Sequence, residues 1–174
     1  NPVVIFEHKG LYWSKVPGTD AAKTAEPDED YLVPFGKARV ALEASEGAID
    51  RGETVGVVTY GMGVYWAMNA AKNLPGQVEV LDLRTLAPYD EEAIVSLTKK
   101  HGKVLVLTEE TLRNSFAEAL AGRISQQCFQ FLDAPIRTMG SMDVPAVPLN
   151  ASMEAVMLPN ADKVEAVLRE MLAD

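Results

Sequence analysis

The chain has 174 residues, 48% of them apolar, with 16 basic and 25 acidic side chains and a formal charge of −9. That size and apolar share support a single domain with a real core, and no apolar run approaches the roughly 20 residues a membrane-spanning helix needs. The acidic excess disfavours nucleic acid, whose phosphates take clustered Lys and Arg; the lone Cys128 excludes an intramolecular disulfide and suits a reducing, cytoplasmic compartment.

Residues 1–13 open on the apolar run Val3-Val4-Ile5-Phe6, which reads as a short strand without a nearby partner. It is expected to be the tail of an upstream domain, which makes the chain a fragment of a longer protein. Residues 14–30 carry Pro17, Gly18, Pro27 and the acidic group Glu26, Asp28, Glu29 and Asp30, and read as a solvated linker. The folded domain is expected over 31–174, entered through Tyr31-Leu32-Val33-Pro34.

Within it, residues 37–43 alternate weakly and predict an edge strand, and turns are expected at Glu46-Gly47 and Arg51-Gly52. The β-branched run 54–60 predicts a strand buried on both faces. A helix follows over 64–74, with Val64, Ala67, Met68, Ala71 and Leu74 on one stripe. The remaining pattern predicts strands at 78–83, 104–107 and 135–139, and helices at 90–100, 115–129 and 162–172. Residues 141–159, with three prolines and no sustained period, read as irregular. Such alternation implies right-handed crossovers between parallel strands. The expected fold is a three-layer α/β/α sandwich around a mostly parallel five-stranded sheet with one antiparallel strand.

Candidate chemistry gathers at strand-to-helix junctions. Tyr60-Gly61-Met62-Gly63 permits a tight turn, yet it lacks the third glycine of a dinucleotide fingerprint and the Lys-Ser or Lys-Thr pair of a P-loop. It reads as a structural turn, with an interface or a small anion as the alternatives. Arg84, after Asp82-Leu83, is a scaffold residue or an anion-site candidate, and Asp90 is placed to cap the next helix without a capping box, since Ala93 stands at the third position. Glu109 and Glu110 would act as acid and base only if their environments pushed their pKa values apart, and alternation points them to opposite faces. His8 and His101 have no other ligands at zinc spacing, and basic residues at a helix end account for His101. No nucleophile elbow or Cys–His pair is present. The chain carries no self-contained catalytic set.

Taken together, NPVVIFEHKGLYW, TVGVVTYGMGVYWAMNAA, VEVLDLRTLAPYD and LDAPIRTMGSMDVPAVP resemble the β subunits of thiamine-dependent 2-oxo acid dehydrogenases, of branched-chain (2-oxoisovalerate) or pyruvate type. The last domain of these subunits is the transketolase C-terminal domain, and the resemblance covers essentially every residue. Three features depart from or keep the family pattern: Asn114-Ser115 stands where many relatives have a Gly-Gly or Ala-Gly pair, Trp13 replaces a common arginine, and Asp143-Val144-Pro145 keeps an Asp-x-Pro signature.

The resemblance implies a parent enzyme that decarboxylates a 2-oxo acid and passes the acyl group to a lipoyl-bearing partner. Its thiamine diphosphate and Mg²⁺ would lie between a pyrimidine-binding domain and a pyrophosphate-binding domain or subunit, with the activating glutamate upstream of Asn1. Residues 1–13 would then end the pyrimidine domain, Asn1 would be a remnant of a structural potassium site, and this segment would bind no cofactor. The implied partners are a second β chain, an α subunit or α domain, and the subunit-binding domain of the lipoyl acyltransferase. Asp133, in the turn Leu132-Asp133-Ala134-Pro135, is expected to contribute to that last interface, or merely to shape the turn. A transketolase or deoxyxylulose-phosphate synthase with the same terminal domain, and a pure interaction domain, are the alternatives.

Overall fold

The computed structural model describes residues 2, 4, 6–12 and 16–174. In chain order the elements are α1 (Lys9–Tyr12), a 3-10 turn Asp20–Ala22, β1 (Arg39–Leu42), α2 (Glu46–Asp50), β2 (Val55–Thr59), α3 (Met62–Ala71), β3 (Val78–Asp82) and α4 (Glu91–His101). Then come β4 (Val104–Thr111), α5 (Phe116–Cys128), a 3-10 turn Phe129–Phe131, β5 (Arg137–Ser141), α6 (Ala151–Met157) and α7 (Ala161–Ala173). The predicted N-terminal strand falls partly on residues 1, 3 and 5, outside the described residues, as do Asn1 and Trp13.

The five strands lie in the order β1-β3-β2-β4-β5. β2, β3, β4 and β5 run parallel, and β1 pairs antiparallel with the outer side of β3 across a register shift between Val40 and Leu42. Val55 through Thr59 are buried throughout because helices cover both faces. On one face α3 and α7 pack over Val55, Val57, Val80 and Leu105. On the other, α4 and α5 pack over Val58, Leu81, Val104 and Val106. This is the expected three-layer α/β/α sandwich, and the two cores follow directly from the two-residue period of the strands. Gly56 permits the close approach of α4, since a β-carbon there would overlap the Leu97 side chain.

Several details differ from the sequence reading. Residues 46–50 form a helical turn (α2) instead of a simple turn, and α6 lies inside the stretch expected to be irregular. Tyr31, Leu32 and Phe35 stay exposed, and after them the chain is tied down at Gly36, whose N–H donates to Thr85 Oγ1 at 2.9 Å. Earlier, Thr19 is buried and Gly18 O accepts from Asn69 Nδ2 at 2.8 Å, so part of the polar stretch lies against α3. His101 ends α4 with its side chain fully buried, beyond what helix-end charge alone requires: Nδ1 meets Thr54 Oγ1 at 2.8 Å, and Nε2 lies 3.5 Å from the buried carboxylate of Glu79.

Candidate functional site

The chain leaves β2 toward β3 on one side, then returns across β2 to build β4 on the other. The direction of winding therefore reverses between β2 and β4, and a crevice at the C-terminal ends of those strands is where an open α/β sheet ordinarily receives a ligand. Here it is a cleft of about 530 Å³, with Tyr60, Glu109, Glu110, Ser141, Glu154 and Met157 among its walls.

The side chains of Tyr60, Glu109, Glu110 and Ser141 in the cleft each already have a partner. Tyr60 Oη donates to Glu110 Oε1 at 3.0 Å and lies 2.7 Å from Thr108 Oγ1. Burial, opposed by the Thr108 hydrogen bond and reinforced by the Glu110 charge, pushes the phenol up to about 12, so it stays protonated at neutral pH. Phe116 stands edge-on to both Tyr60 and Tyr89, with centroids 5.9 and 5.8 Å away. Glu110 Oε1 also accepts from Phe116 N, and Ser115 Oγ accepts from Glu118 N, so carboxylate and hydroxyl occupy the first turn of α5. Glu109 faces the other way: its Oε2 receives His8 Nε2 at 2.8 Å, while Leu11 N donates to His8 Nδ1 at 3.2 Å. An imidazole that accepts at Nδ1 must carry its proton on Nε2, so the neutral ring satisfies both contacts.

The two glutamates thus point to different partners, as alternation requires, and each serves as an acceptor for fixed donors rather than as half of an acid–base pair. Gly61 takes φ 56° to turn from β2 into α3, and Gly63 lets the first turn of α3 lie on Thr59 and Leu107, which is the structural-turn reading of that motif. The Arg84 guanidinium donates to the carbonyls of Lys37 and Ala38, at 2.8 Å for the shortest contact. Asp90 caps α4 through Ala93 N at 3.1 Å and also accepts from Ala38 N. Burial would raise its pKa, yet those two N–H bonds hold it below the usual carboxylate range. Arg84, Thr85 and Asp90 therefore fasten the incoming segment 36–38 to the sheet, a scaffold role.

Asp133 lies at the opposite end of the sheet. Its N–H donates to Gly102 O at 2.9 Å, and its side chain is exposed beside Phe129, Leu132 and Pro135, around an apolar hollow of about 540 Å³. Among the described residues no three His, Cys, Asp or Glu side chains converge as a metal site. The cleft does not fit the diphosphate of thiamine diphosphate: the carboxylates of Glu109, Glu110 and Glu154 line it, and Phe116 N and Glu118 N at the start of α5 already donate to Glu110 and Ser115. The contact between His8 and Glu109, 101 residues apart, has no local signal in the sequence; it needs the fold.

Residues 46–164 match the family described as transketolase, C-terminal domain. The chain is 40% identical to the 2-oxoisovalerate dehydrogenase subunit beta of Bacillus subtilis (strain 168), over 98% of its own length and 49% of that protein. It is 35% identical to the pyruvate dehydrogenase E1 component subunit beta of Rhizobium meliloti (strain 1021), covering 96% of the chain and 34% of the relative. An acetoin:2,6-dichlorophenolindophenol oxidoreductase subunit beta from Cupriavidus necator (strain ATCC 17699) is 29% identical over 99% of the chain and 47% of the relative. Among solved structures, a split-gene transketolase captured as an inactive beta4 tetramer superposes with a TM-score of 0.67 at 22% identity, over 84% of this chain and 45% of that one. The chain spans about half the length, or less, of the relatives it matches.

Proposed function

The chain belongs to the transketolase C-terminal domain family, in the form carried by 2-oxo acid dehydrogenase β subunits, and from this we infer that it is the assembly domain of a decarboxylating component. The intact protein removes CO₂ from a 2-oxo acid with thiamine diphosphate and Mg²⁺ and passes the acyl group to a lipoyl group. The preferred substrate is a branched-chain 2-oxo acid, 3-methyl-2-oxobutanoate. The 40% identity to a 2-oxoisovalerate dehydrogenase β subunit over nearly the whole chain carries this reading. A pyruvate-directed enzyme is the second reading, supported by the 35% relative.

The domain's own contribution is structural. At the sheet's C-terminal end Tyr60, Glu109, Glu110 and Ser141 are paired internally, and the exposed apolar and acidic surface at the Asp133 end suits partners: a second β chain, an α-type chain, and the basic subunit-binding domain of an acyltransferase. The isolated 174-residue chain is expected to show no decarboxylase activity, and calorimetry with thiamine diphosphate and Mg²⁺ should give no binding heat. Micromolar binding would overturn the assembly reading. For the intact enzyme, turnover of 3-methyl-2-oxobutanoate against pyruvate by the full-length β subunit with its α-type partner decides the substrate.

A further inference from the structure

Two sets of exposed apolar side chains stand out in the domain. One lines a groove of about 600 Å³ between loop 142–149 and α6, walled by Met142, Val144, Pro145, Met153 and Val156 and floored by Met157. Met142 is 52% exposed and Met153 61%, and Leu149 stands fully in solvent beside them. The other is the pair Val4 and Phe6 near the N-terminus, both exposed.

The groove is a held surface. Asn150 caps α6 through Ser152 N and Met153 N, and Lys163 Nζ binds the carbonyls of Ala155, Val156 and Leu158 at the other end. Met142 N donates to Met157 O, which fixes the loop to the helix. A contiguous exposed apolar face of this kind, held in place from both ends of its helix, marks an interface.

Position identifies what covers it. His8 is bound to Glu109, Glu109 and Met157 line one cleft, and Met157 also lines the groove. The N-terminal run therefore leaves the domain beside the groove, and the matched relatives are about twice as long as this chain. We propose that loop 142–149 and α6 seat the remaining half of the longer β-type chain, with His8–Glu109 pinning the joint and Val4 and Phe6 covered by the same contact. This rests on the reading that the intact protein is such a subunit.

Hydroxyl-radical footprinting of the 174-residue chain and of the full-length subunit, each at low and high concentration, tests the proposal through oxidation of Met142 and Met153. Half-exposed side chains that enter an interface core should be oxidised about fivefold less in the full-length subunit, at both concentrations. Equal oxidation in the two proteins overturns the proposal. Protection of the 174-residue chain that grows with concentration assigns the groove to a second copy, and protection only after the α-type partner is added assigns it to that partner; either also overturns it. Substituting Met153→Asp and Val156→Asp should lower the melting temperature of the full-length subunit and leave that of the 174-residue chain unchanged. Decarboxylase activity of the assembled preparation is read alongside: an active enzyme with unprotected methionines rejects the docking and leaves the functional reading standing.

Discussion

Glu79 is the most heavily constrained carboxylate in the domain. It lies on β3, almost fully buried, against Lys100 and His101 at the end of α4. Burial acts to raise its pKa, but the His101 contact and the Lys100 ion pair outweigh that and hold it at about 2, against an ordinary 4.5. A carboxyl depressed in this way contributes stability that is present in full above its unfolded pKa and is lost as pH falls through the interval down to the folded one. Glu79→Gln should therefore cost about 2 kcal/mol at neutral pH, where Lys100 loses its carboxylate partner and a buried contact with His101 is weakened. Urea unfolding at pH 7 and pH 3 should show the gap between wild type and variant narrowing in acid; a constant gap would place the stability elsewhere. Asp133 belongs to the same scale but to the surface. Exposed charges act on association rate and salt sensitivity more than on affinity. Asp133→Asn should slow binding of a cognate acyltransferase subunit-binding domain at low salt and flatten its salt dependence, with the fold intact. Unchanged kinetics from about 0.05 to 0.5 M salt, where screening becomes severe, would remove Asp133 from that interface.

At the scale of elements, α5 shows how a cap decides a boundary. Ser115 Oγ accepts from Glu118 N at 3.1 Å, and Glu118 Oε2 accepts in return from Asn114 N at 2.7 Å. Asn114 takes φ 59° to make the reversal before the helix, a conformation asparagine adopts more readily than most side chains. Ser115→Ala should cost about 1 kcal/mol of unfolding free energy, measured by urea titration, whereas Ser115→Asp should retain the wild-type midpoint; equal losses in both would show that the cap contributes nothing. The same helix marks what was legible in the sequence. β2 announces itself because five consecutive buried positions leave an uninterrupted apolar run, and α4 because Asp90 and Gly102 punctuate both ends. α6 stayed hidden for a physical reason. Pro145 and Pro148 crowd the stretch before it, and Met153 and Val156 lie on its exposed side, so seven residues display no inward stripe. Its one local signal is Asn150, whose side chain caps it. The candidate cleft was legible only as separate junctions: Tyr60, Glu110 and Phe116 come together through the order β3-β2-β4, which no local pattern carries.

For the whole molecule the sheet has two distinct ends, and each offers apolar surface. At the C-terminal end lies the α6 groove. At the N-terminal end Phe129 is 80% exposed, next to Leu132, Pro135 and the carboxylate of Asp133, while Lys99 Nζ sits 4.8 Å above the ring of Phe131 and keeps that aromatic in place. A two-fold contact places the same patch on both partners, and the Phe129 patch is compact enough to serve as its centre. Opposing it is the formal charge of −9 on each copy, whose repulsion reaches roughly 10 Å at 0.1 M salt and about 3 Å at 1 M. Self-association of the 174-residue chain should therefore strengthen as salt is raised, the reverse of the expected behaviour at an acyltransferase contact built on opposite charges. Sedimentation equilibrium across a concentration series at low and high salt should show a monomer–dimer equilibrium that shifts toward dimer in salt. Phe129→Asp should return the chain to monomer at every salt concentration without changing its melting temperature, because the ring contributes little to the core. A wild-type chain that stays monomeric at high concentration and high salt, or a Phe129→Asp variant that dimerises as well as wild type, would remove the Phe129 patch as a self-association surface.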